Sequence, residues 1–256
     1  MFELQRPDAE LVEAAVIRNS AVGLPGVGVL GVEQIGLIQN RRGEDNIFVV
    51  NEVINNLNKN KFRGYIAFVD IEKAYDRVDR GVLWKVLEQI GFSSKIVSII
   101  RSMYVNTQAV YKLGSIETRP IRNVRGVRQG CAMSPILFAL YTEELAVRLR
   151  KSGLGVRIGD GRLSSLLYAD DIAILSETCG GLEKMLDILG QYGNEFDVKF
   201  SKDKSKVLVL NGGVGDVNRT WMIGNVEISR VKEYKYLGCK INERGCELGR
   251  KRREII

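Results

Sequence analysis

The chain has 256 residues, of which 45 % are hydrophobic, so it can bury a core as one large domain or two small ones. Its net charge is +7, with −3 in residues 1–40 and +10 in the remainder, and this basic body favours nucleic acid as a partner or simply maintains solubility. Histidine is absent, which excludes Ser-His-Asp triads, His-based acid–base chemistry and His-ligated metals, and leaves carboxylates, Lys, Tyr or a hard metal held by oxygen.

Hydrophobic periodicity predicts alternating helices and strands from residue 44 onward, whereas residues 1–32 differ in composition and suggest no function. The predicted elements are, in chain order, a helix whose apolar face runs from Ile47 to Leu57, a strand at Tyr65–Val69, a helix over Leu83–Ile90 closed by Gly91, a helix over Ile96–Met103, a hairpin over 108–123 turning at Gly114-Ser115, a helix from Pro135 to about Lys151, a hairpin over 163–175, a helix over 181–193, strands near 196–200 and 206–210, and a β pair over 220–241. Tight turns between successive strands favour an α+β fold with an antiparallel sheet over a doubly wound parallel one.

The compartment is indicated by cysteine spacing and by the absence of membrane signals. The four cysteines form no C-x-x-C pair, which predicts a reducing compartment and no zinc site; they are Cys131, Cys179, Cys239 and Cys246. The N-terminus lacks the basic start and following apolar block of a secretion signal. No apolar stretch reaches the roughly 20 residues that span a bilayer. We therefore expect an intracellular protein with no membrane partner.

The stretch Tyr168-Ala-Asp-Asp171 places two adjacent carboxylates inside an otherwise apolar run. Aspartate is disfavoured in strands and is rarely buried unless it is paired or bound to a metal. A hairpin turn explains the geometry, because Asp is a good turn residue, but it does not explain two charges at one tip.

A third carboxylate, Asp70, ends the predicted strand at Tyr65–Val69. By itself it is more typical of an N-cap for the next helix. If the strands that carry Asp70 and Asp170 are neighbours, however, three carboxylates converge, and such a cluster requires a cation. Two divalent ions about 4 Å apart would relieve the repulsion and stabilise both oxygens of a phosphoryl transfer.

Five motifs, taken in order, resemble the successive palm motifs of reverse transcriptases, most closely those of non-LTR (LINE-type) retrotransposons. They are Phe68-Val-Asp-Ile-Glu-Lys-Ala-Tyr-Asp76, Gly126-Val-Arg-Gln-Gly-Cys-Ala-Met-Ser-Pro-Ile-Leu-Phe138, Tyr168-Ala-Asp-Asp171, Phe200-Ser-Lys-Asp-Lys-Ser-Lys-Val207 and Tyr234-Lys-Tyr-Leu-Gly238. Gln34-Ile-Gly-Leu, Arg41 and Asp45-Asn-Ile-Phe48 resemble the fingers motif that precedes them. The resemblance implies a reverse-transcriptase-like palm over 65–241, with helices flanking an antiparallel sheet, partial fingers over 33–64, and a basic tail over 242–256 that begins a largely absent thumb.

The activity implied by the resemblance is RNA-directed DNA polymerisation, with an RNA template, a DNA primer and deoxynucleotides as partners, two Mg²⁺ ions (Mn²⁺ as a substitute) and no evident protein partner. Asp70, Asp170, Asp171 and the Ile71 carbonyl match the family's metal ligands. Tyr75 matches the aromatic gate that leaves no room for a 2′-hydroxyl, although an ordinary core tyrosine is the alternative.

Four further residues match positions that hold the incoming nucleotide. Gln129 and Gly130 match the nucleotide-binding turn, where glycine permits close backbone approach. Arg41 matches the fingers arginine that grips the triphosphate, with Arg42 as an equally placed neighbour. Lys204 matches a lysine near the triphosphate that can protonate pyrophosphate, and an ordinary exposed lysine is the alternative.

Departures from the family pattern leave other interpretations open. Ala132 replaces the usual Pro, residues 1–32 contain no recognisable first fingers motif, and the chain ends soon after Gly238. One alternative is an inactive retrotransposon-derived remnant that at most binds nucleic acid; another is an RNA-templated RNA polymerase or intron maturase. Gly249-Arg-Lys-Arg-Arg253 is compatible with a nuclear address and equally with a solvated tail.

Overall fold

The protein is described by a computed structural model over residues 43–110 and 112–246. Residues 1–42, which include Arg41 and the first part of the predicted fingers, and the tail from residue 247 lie outside this description. The helices are α1 (Gly43–Lys59), α2 (Ala74–Arg77), α3 (Arg80–Ile90), α4 (Ser94–Ser102), α5 (Ser134–Lys151) and α6 (Cys179–Phe196), with a 3-10 helix at Val214–Asp216. No described helix is both long enough and apolar enough to cross a membrane.

The strands fall into one large sheet and several small ones. They are β1 (Gly64–Asp70), β2 (Gln108–Ala109), β3 (Lys112–Leu113), β4 (Ile116–Glu117), β5 (Ile121–Arg122), β6 (Val156–Ile158), β7 (Gly161–Leu163), β8 (Ser165–Tyr168), β9 (Asp171–Ser176), β10 (Lys206–Leu210), β11 (Thr220–Ile223), β12 (Val226–Val231), β13 (Glu233–Tyr236), β14 (Cys239–Asn242) and β15 (Gly245–Cys246). The central sheet has the order β11-β12-β10-β1-β9-β8. The predicted α+β fold with an antiparallel sheet is confirmed, with one exception: β10 and β12 run parallel.

Strand β1 lies inside the central sheet, and all seven of its residues are buried. Side chains alternate between the faces of a strand, and apolar layers cover both faces here. Tyr65, Ala67 and Val69 pack in a core formed with α3, α5 and α6. Ile66 and Phe68 pack in a second core formed with α1, β13 and β14. The end of β1 is therefore fixed from both sides.

Side-chain caps and turn glycines set the limits of several predicted helices. The Asp79 carboxylate accepts from the Val82 amide at the start of α3, and Gly91 ends that helix with a φ of 102°. Thr178 caps α6 through the Gly181 amide. Helix α5 begins with a proline in its first turn, as the sequence predicted.

Two expectations about the C-terminal half are wrong, and a disulfide is present that the sequence did not predict. Residues 196–200 do not form a strand, because α6 continues to Phe196 and Phe200 makes only an isolated bridge to Ile71. Residues 220–241 contain two antiparallel pairs in different sheets, β11–β12 and β13–β14, rather than one pair. Cys239 and Cys246 are joined by a disulfide, a bond that is rare in the reducing compartment predicted from the cysteine spacing.

A narrow double-stranded ribbon, Gln108–Arg122, connects α4 to the segment before α5. The pair β2–β5 forms its base and β3–β4 its tip, which includes the predicted turn at Gly114-Ser115. At the tip, Leu113 and Ile116 expose 82 % and 70 % of their surface. Arg80 ties the segments at the base together by donating to the Thr107 hydroxyl and the Asn123 carbonyl, both at 2.9 Å.

Candidate active site

The two strand ends that carry the predicted acidic residues are neighbours in the sheet. Asp70 is directly opposite Asp171 in the β1–β9 pairing. Phe68 and Ala173, each two positions away, belong to the core on the α1 side of the sheet, so Asp70 and Asp171 share that face. Their predicted proximity is therefore set by the register of two buried strands.

Asp170 lies in the two-residue turn that joins β8 to β9, since Tyr168 pairs with Asp171 across it. The predicted hairpin geometry is present. The other turn residue, Ala169, has a left-handed φ of 53°, a conformation that costs a residue with a Cβ roughly 1–2 kcal/mol. The paired strands on either side hold the turn in this shape.

Burial and mutual repulsion shift two of the three carboxyl groups towards their neutral form. Burial, followed by the charges of Asp170 and Asp70, raises the pKa of Asp171 to about 6. Burial also raises the pKa of Asp70, with an opposing contribution from the Lys204 ammonium and a further rise from Asp170. The end of this strand pair is therefore the place where an added cation would gain most from these carboxylates.

The carboxylate oxygens are nevertheless not arranged in a coordination geometry. Within residues 43–110 and 112–246, no three His, Cys, Asp or Glu side chains lie close enough together, as placed, to hold a metal ion. The Asp70 carboxylate instead contacts Lys204, whose Nζ lies 3.3 Å from it.

The backbone around Asp70 is held by a short loop, Ser201–Ser205. The Asp70 amide donates to Ser205 Oγ at 3.2 Å, and the Asp70 carbonyl accepts from the Ser201 amide at 2.9 Å. The Ile71 amide donates to the Asp170 carbonyl at 3.2 Å. Because the next helix, α2, starts after Lys73, the interpretation of Asp70 as an N-cap is wrong.

Tyr75 lies in α2, five residues after Asp70, and packs on α5. Its ring stacks on Phe138, with centroids 5.1 Å apart and planes at 19°. Burial raises the pKa of the Tyr75 hydroxyl, and the Asp170 charge adds to the rise. The half-buried ring and its proximity to Asp170 suit both a core tyrosine and a gate at the carboxylates.

The segment that leads to Gln129 and Gly130 lies directly against the backbone of Tyr75 and Asp76. A Cβ on Gly126 would lie 2.8 Å from the Tyr75 carbonyl oxygen, and Gly126 has a φ of 79°, so glycine is required there. Gln129 Nε2 donates to Asp76 Oδ1 at 2.9 Å. Two motifs that are far apart in the sequence therefore form one surface beside the carboxylates.

Tyr234, at the start of the last motif, packs against Phe68 in the core on the α1 side of the sheet, the face that carries Asp70 and Asp171. Burial, then the charges of Asp171 and Asp70, raises the pKa of its hydroxyl to about 12, so the group is a neutral donor at ordinary pH. It donates to the Lys204 carbonyl at 2.8 Å, which connects β13 to the loop beside Asp70.

The structure thus brings Asp70, Ile71, Asp170, Asp171 and Lys204 together. Tyr75 lies close enough to Asp170 to be affected by its charge, and Gln129 is bonded to the neighbouring Asp76. Gly130 follows Gln129 in the chain, and Arg41 lies outside the described residues.

Sequence reasoning missed Asp76, Ser201 and Ser205, which contact the assigned residues. It also missed Arg80, which donates to the Gly126 carbonyl in the segment that leads to Gln129. Asp76 and the two serines lie inside motifs already quoted, so their polarity within those motifs was an available signal. Arg80 gave none, because its partners are mostly backbone carbonyls.

The chain is also similar to known proteins over most of its length. Residues 17–241 match the family described as "Reverse transcriptase (RNA-dependent DNA polymerase)". Similar proteins include the "Transposon TX1 uncharacterized 149 kDa protein" of Xenopus laevis, 28 % identical over 71 % of this chain and 14 % of that protein. The "Retrovirus-related Pol polyprotein from type-2 retrotransposable element R2DM" of Drosophila melanogaster is 26 % identical over 78 % of this chain and 20 % of that protein.

Among solved structures, telomerase from Candida tropicalis, in a complex with a fragment of telomeric RNA, superposes with a TM-score of 0.59 at 15 % identity. The superposition covers 93 % of this chain and 36 % of the telomerase chain. The likeness shows a shared fold. The chain spans 14 to 20 % of the length of the two relatives named above.

Proposed function

The chain belongs to the reverse transcriptase (RNA-dependent DNA polymerase) family, and from that premise we propose that it is an RNA-directed DNA polymerase of a retrotransposon. It would add deoxynucleotides to the 3′-hydroxyl of a DNA primer on an RNA template. The observation that carries this proposal is the direct pairing of Asp70 with Asp171, with Asp170 in the adjoining turn.

The acidic site suits divalent metal ions, and Mg²⁺ is the ion that we propose, with Mn²⁺ as a substitute. Carboxylate and backbone oxygens are the ligands that hard cations take, and the ligands would be Asp70, Asp170, Asp171 and the Ile71 carbonyl. The fit rests on electrostatics: burial, followed by the charges of Asp170 and Asp70, raises the pKa of Asp171, and bound cations would stabilise the ionised carboxylates against both effects. Bound metal would also lower the pKa of the primer hydroxyl and neutralise charge on the triphosphate.

The residues around the carboxylates would then bind and orient the nucleotide. Tyr75, stacked on Phe138, would lie beneath the sugar and exclude a 2′-hydroxyl. Gln129 would hydrogen-bond the nucleotide or the template, and Gly130, around whose ideal Cβ position nothing lies within 4 Å, would let backbone approach it. The family resemblance assigns Arg41 to the triphosphate.

In the reaction, the primer 3′-oxygen bonds to the α-phosphorus, the α–β phosphoanhydride bond breaks and pyrophosphate leaves. The hydroxyl proton passes to solvent, and no atom changes oxidation state. Lys204, whose Nζ lies 3.3 Å from Asp70, would give a proton to the departing pyrophosphate and recover one from solvent.

Primer extension on an RNA template with Mg²⁺ tests the proposal. We expect wild-type protein to incorporate deoxynucleotides in preference to ribonucleotides, and Asp170→Asn to lower the rate by about 10²-fold or more, the scale on which charged or polar groups at a reacting centre act. The matched control is Asp160→Asn, because Asp160 is an exposed aspartate in the turn of another hairpin, β6–β7.

Equal extension by wild type and Asp170→Asn, or none by either, would contradict the catalytic proposal. Absence of extension together with retained binding of a primer–template would favour an inactive nucleic-acid-binding remnant. A preference for ribonucleotides would point instead to an RNA polymerase of the same fold.

A further inference from the structure

Tyr234 is held at both ends of its side chain. Its ring stacks on Phe68, with centroids 4.5 Å apart and planes only 3° apart. Its hydroxyl donates to the Lys204 carbonyl at 2.8 Å. Because Phe68 belongs to the fully buried strand β1, the hydroxyl is presented to the Ser201–Ser205 loop from a rigid base.

The loop that receives this hydrogen bond carries Lys204 on the side of Asp70. Within the loop, the Lys204 amide donates to Ser201 Oγ at 3.3 Å, and the Ser205 amide donates to the Ser201 carbonyl at 3.0 Å. The Lys204 side chain itself is 69 % exposed. A long exposed lysine loses much conformational freedom when it is fixed, so the direction in which its backbone presents it matters.

We propose that Tyr234 is a positioning residue, whose hydroxyl fixes the Lys204 carbonyl and thereby directs the Lys204 ammonium to the carboxylate edge. The inference rests on the proposed function, since Lys204 acts on a triphosphate only if the chain polymerises nucleotides. Through this bond, strand β13 is mechanically connected to the place where the nucleotide would react.

The same strand offers a matched control in Tyr236. Its ring also packs against Phe68, with centroids 5.1 Å apart, but its hydroxyl accepts from Asn46 Nδ2 of α1 at 3.2 Å. Tyr→Phe at either position removes one hydroxyl and keeps the ring. Only the change at position 234 removes the bond to the Lys204 carbonyl.

Hydrogen exchange measured by mass spectrometry tests the positioning without any need for activity. In Tyr234→Phe, we expect amides of the Ser201–Ser205 loop to exchange about two- to tenfold faster, the effect of losing one net hydrogen bond. Tyr236→Phe should leave the exchange of this loop unchanged. Unchanged exchange in Tyr234→Phe, or equal acceleration in both variants, would overturn the proposal.

Single-nucleotide incorporation then tests whether the effect acts through Lys204. Tyr234→Phe should lower the maximal rate about two- to tenfold with primer–template affinity unchanged, and should have no further effect when Lys204→Ala is already present. Losses that multiply in the double variant would show that Tyr234 acts independently of Lys204. If wild-type protein fails to extend primers, the proposed function fails, and the exchange measurement decides the positioning alone.

Discussion

The paired strands β1 and β9 and the ribbon Gln108–Arg122 use the same antiparallel hydrogen bonding in opposite environments. All of β1 is buried, whereas both strands at the tip of the ribbon are exposed throughout. In the β1–β9 pair, packing on both faces of the sheet allows only one strand register. In the ribbon, the turn at the tip and the contacts of Arg80 at the base hold the strands in register. Side chains that must keep fixed positions, such as Asp70 and Asp171, are found in the first environment.

The two regions should differ most in the stability that is lost when an isoleucine in each is shortened to alanine. Ile174 of β9 is 0 % exposed and Ile116 of the ribbon 70 %. Ile174→Ala should lower the free energy of unfolding by about 4 kcal/mol, because it leaves a cavity, and Ile116→Ala by less than about 0.5 kcal/mol. Urea unfolding of both variants measures this. Similar losses would mean that the ribbon tip is packed against something that resembles a core.

A smaller difference is expected for two glycines with similar backbones. Gly126 and Gly114 have φ of 79° and 61°, but only at Gly126 would a Cβ meet backbone atoms, at 2.8–2.9 Å. Gly126→Ala should cost about 3 kcal/mol, from the contact and from the strained φ, whereas Gly114→Ala should cost about 1 kcal/mol from φ alone. Thermal unfolding of the two variants measures how much the backbone contact at Gly126 adds to the loss of stability. Equal losses in both variants would show that this contact has no effect.

The smallest effect concerns charge rather than packing. The pKa of Asp171 is raised to about 6, above its ordinary value, so ionising it destabilises the fold. Without divalent ions, Asp171→Asn should therefore be more stable than wild type at pH 7–8, by about 1 kcal/mol after allowance for partial exposure. The advantage should shrink as the pH falls through 6 towards 4, where the wild-type carboxyl becomes neutral.

Thermal melts across this pH range provide the measurement, with Asp160→Asn as the control because Asp160 is exposed. Added Mg²⁺ should stabilise wild type more than Asp171→Asn. A variant less stable than wild type at every pH would contradict the raised pKa of Asp171.

Elements with a repeated local signal were predictable from the sequence, and long-range pairings were not. Alternating apolar residues at Phe196, Val198 and Phe200 suggested a strand; all three are buried, but the pattern reports burial rather than pairing, and α6 takes in the first of them. The parallel pairing of β10 with β12 leaves no local pattern in either strand.

The site shows the same division. Asp70 and Asp170 were found because charge at the end of an apolar strand is unusual, whereas their supports depend on contacts between distant segments. The hydrogen bond from Tyr234 to Lys204 spans 30 residues.

The disulfide between Cys239 and Cys246 forms because Gly245, at a φ of 106°, allows β15 to turn back on β14. Cysteine spacing alone does not reveal this turn.

The direct opposition of Asp70 and Asp171 also makes assembly of the acidic site inseparable from folding. A slip of one residue in either strand would exchange its two faces, moving a carboxylate into the layer occupied by Tyr65, Ala67 and Val69. Such a chain would lose its core along with the opposition of its two carboxylates. Quality control that removes misfolded copies would therefore also remove copies in which the acidic pair is misaligned.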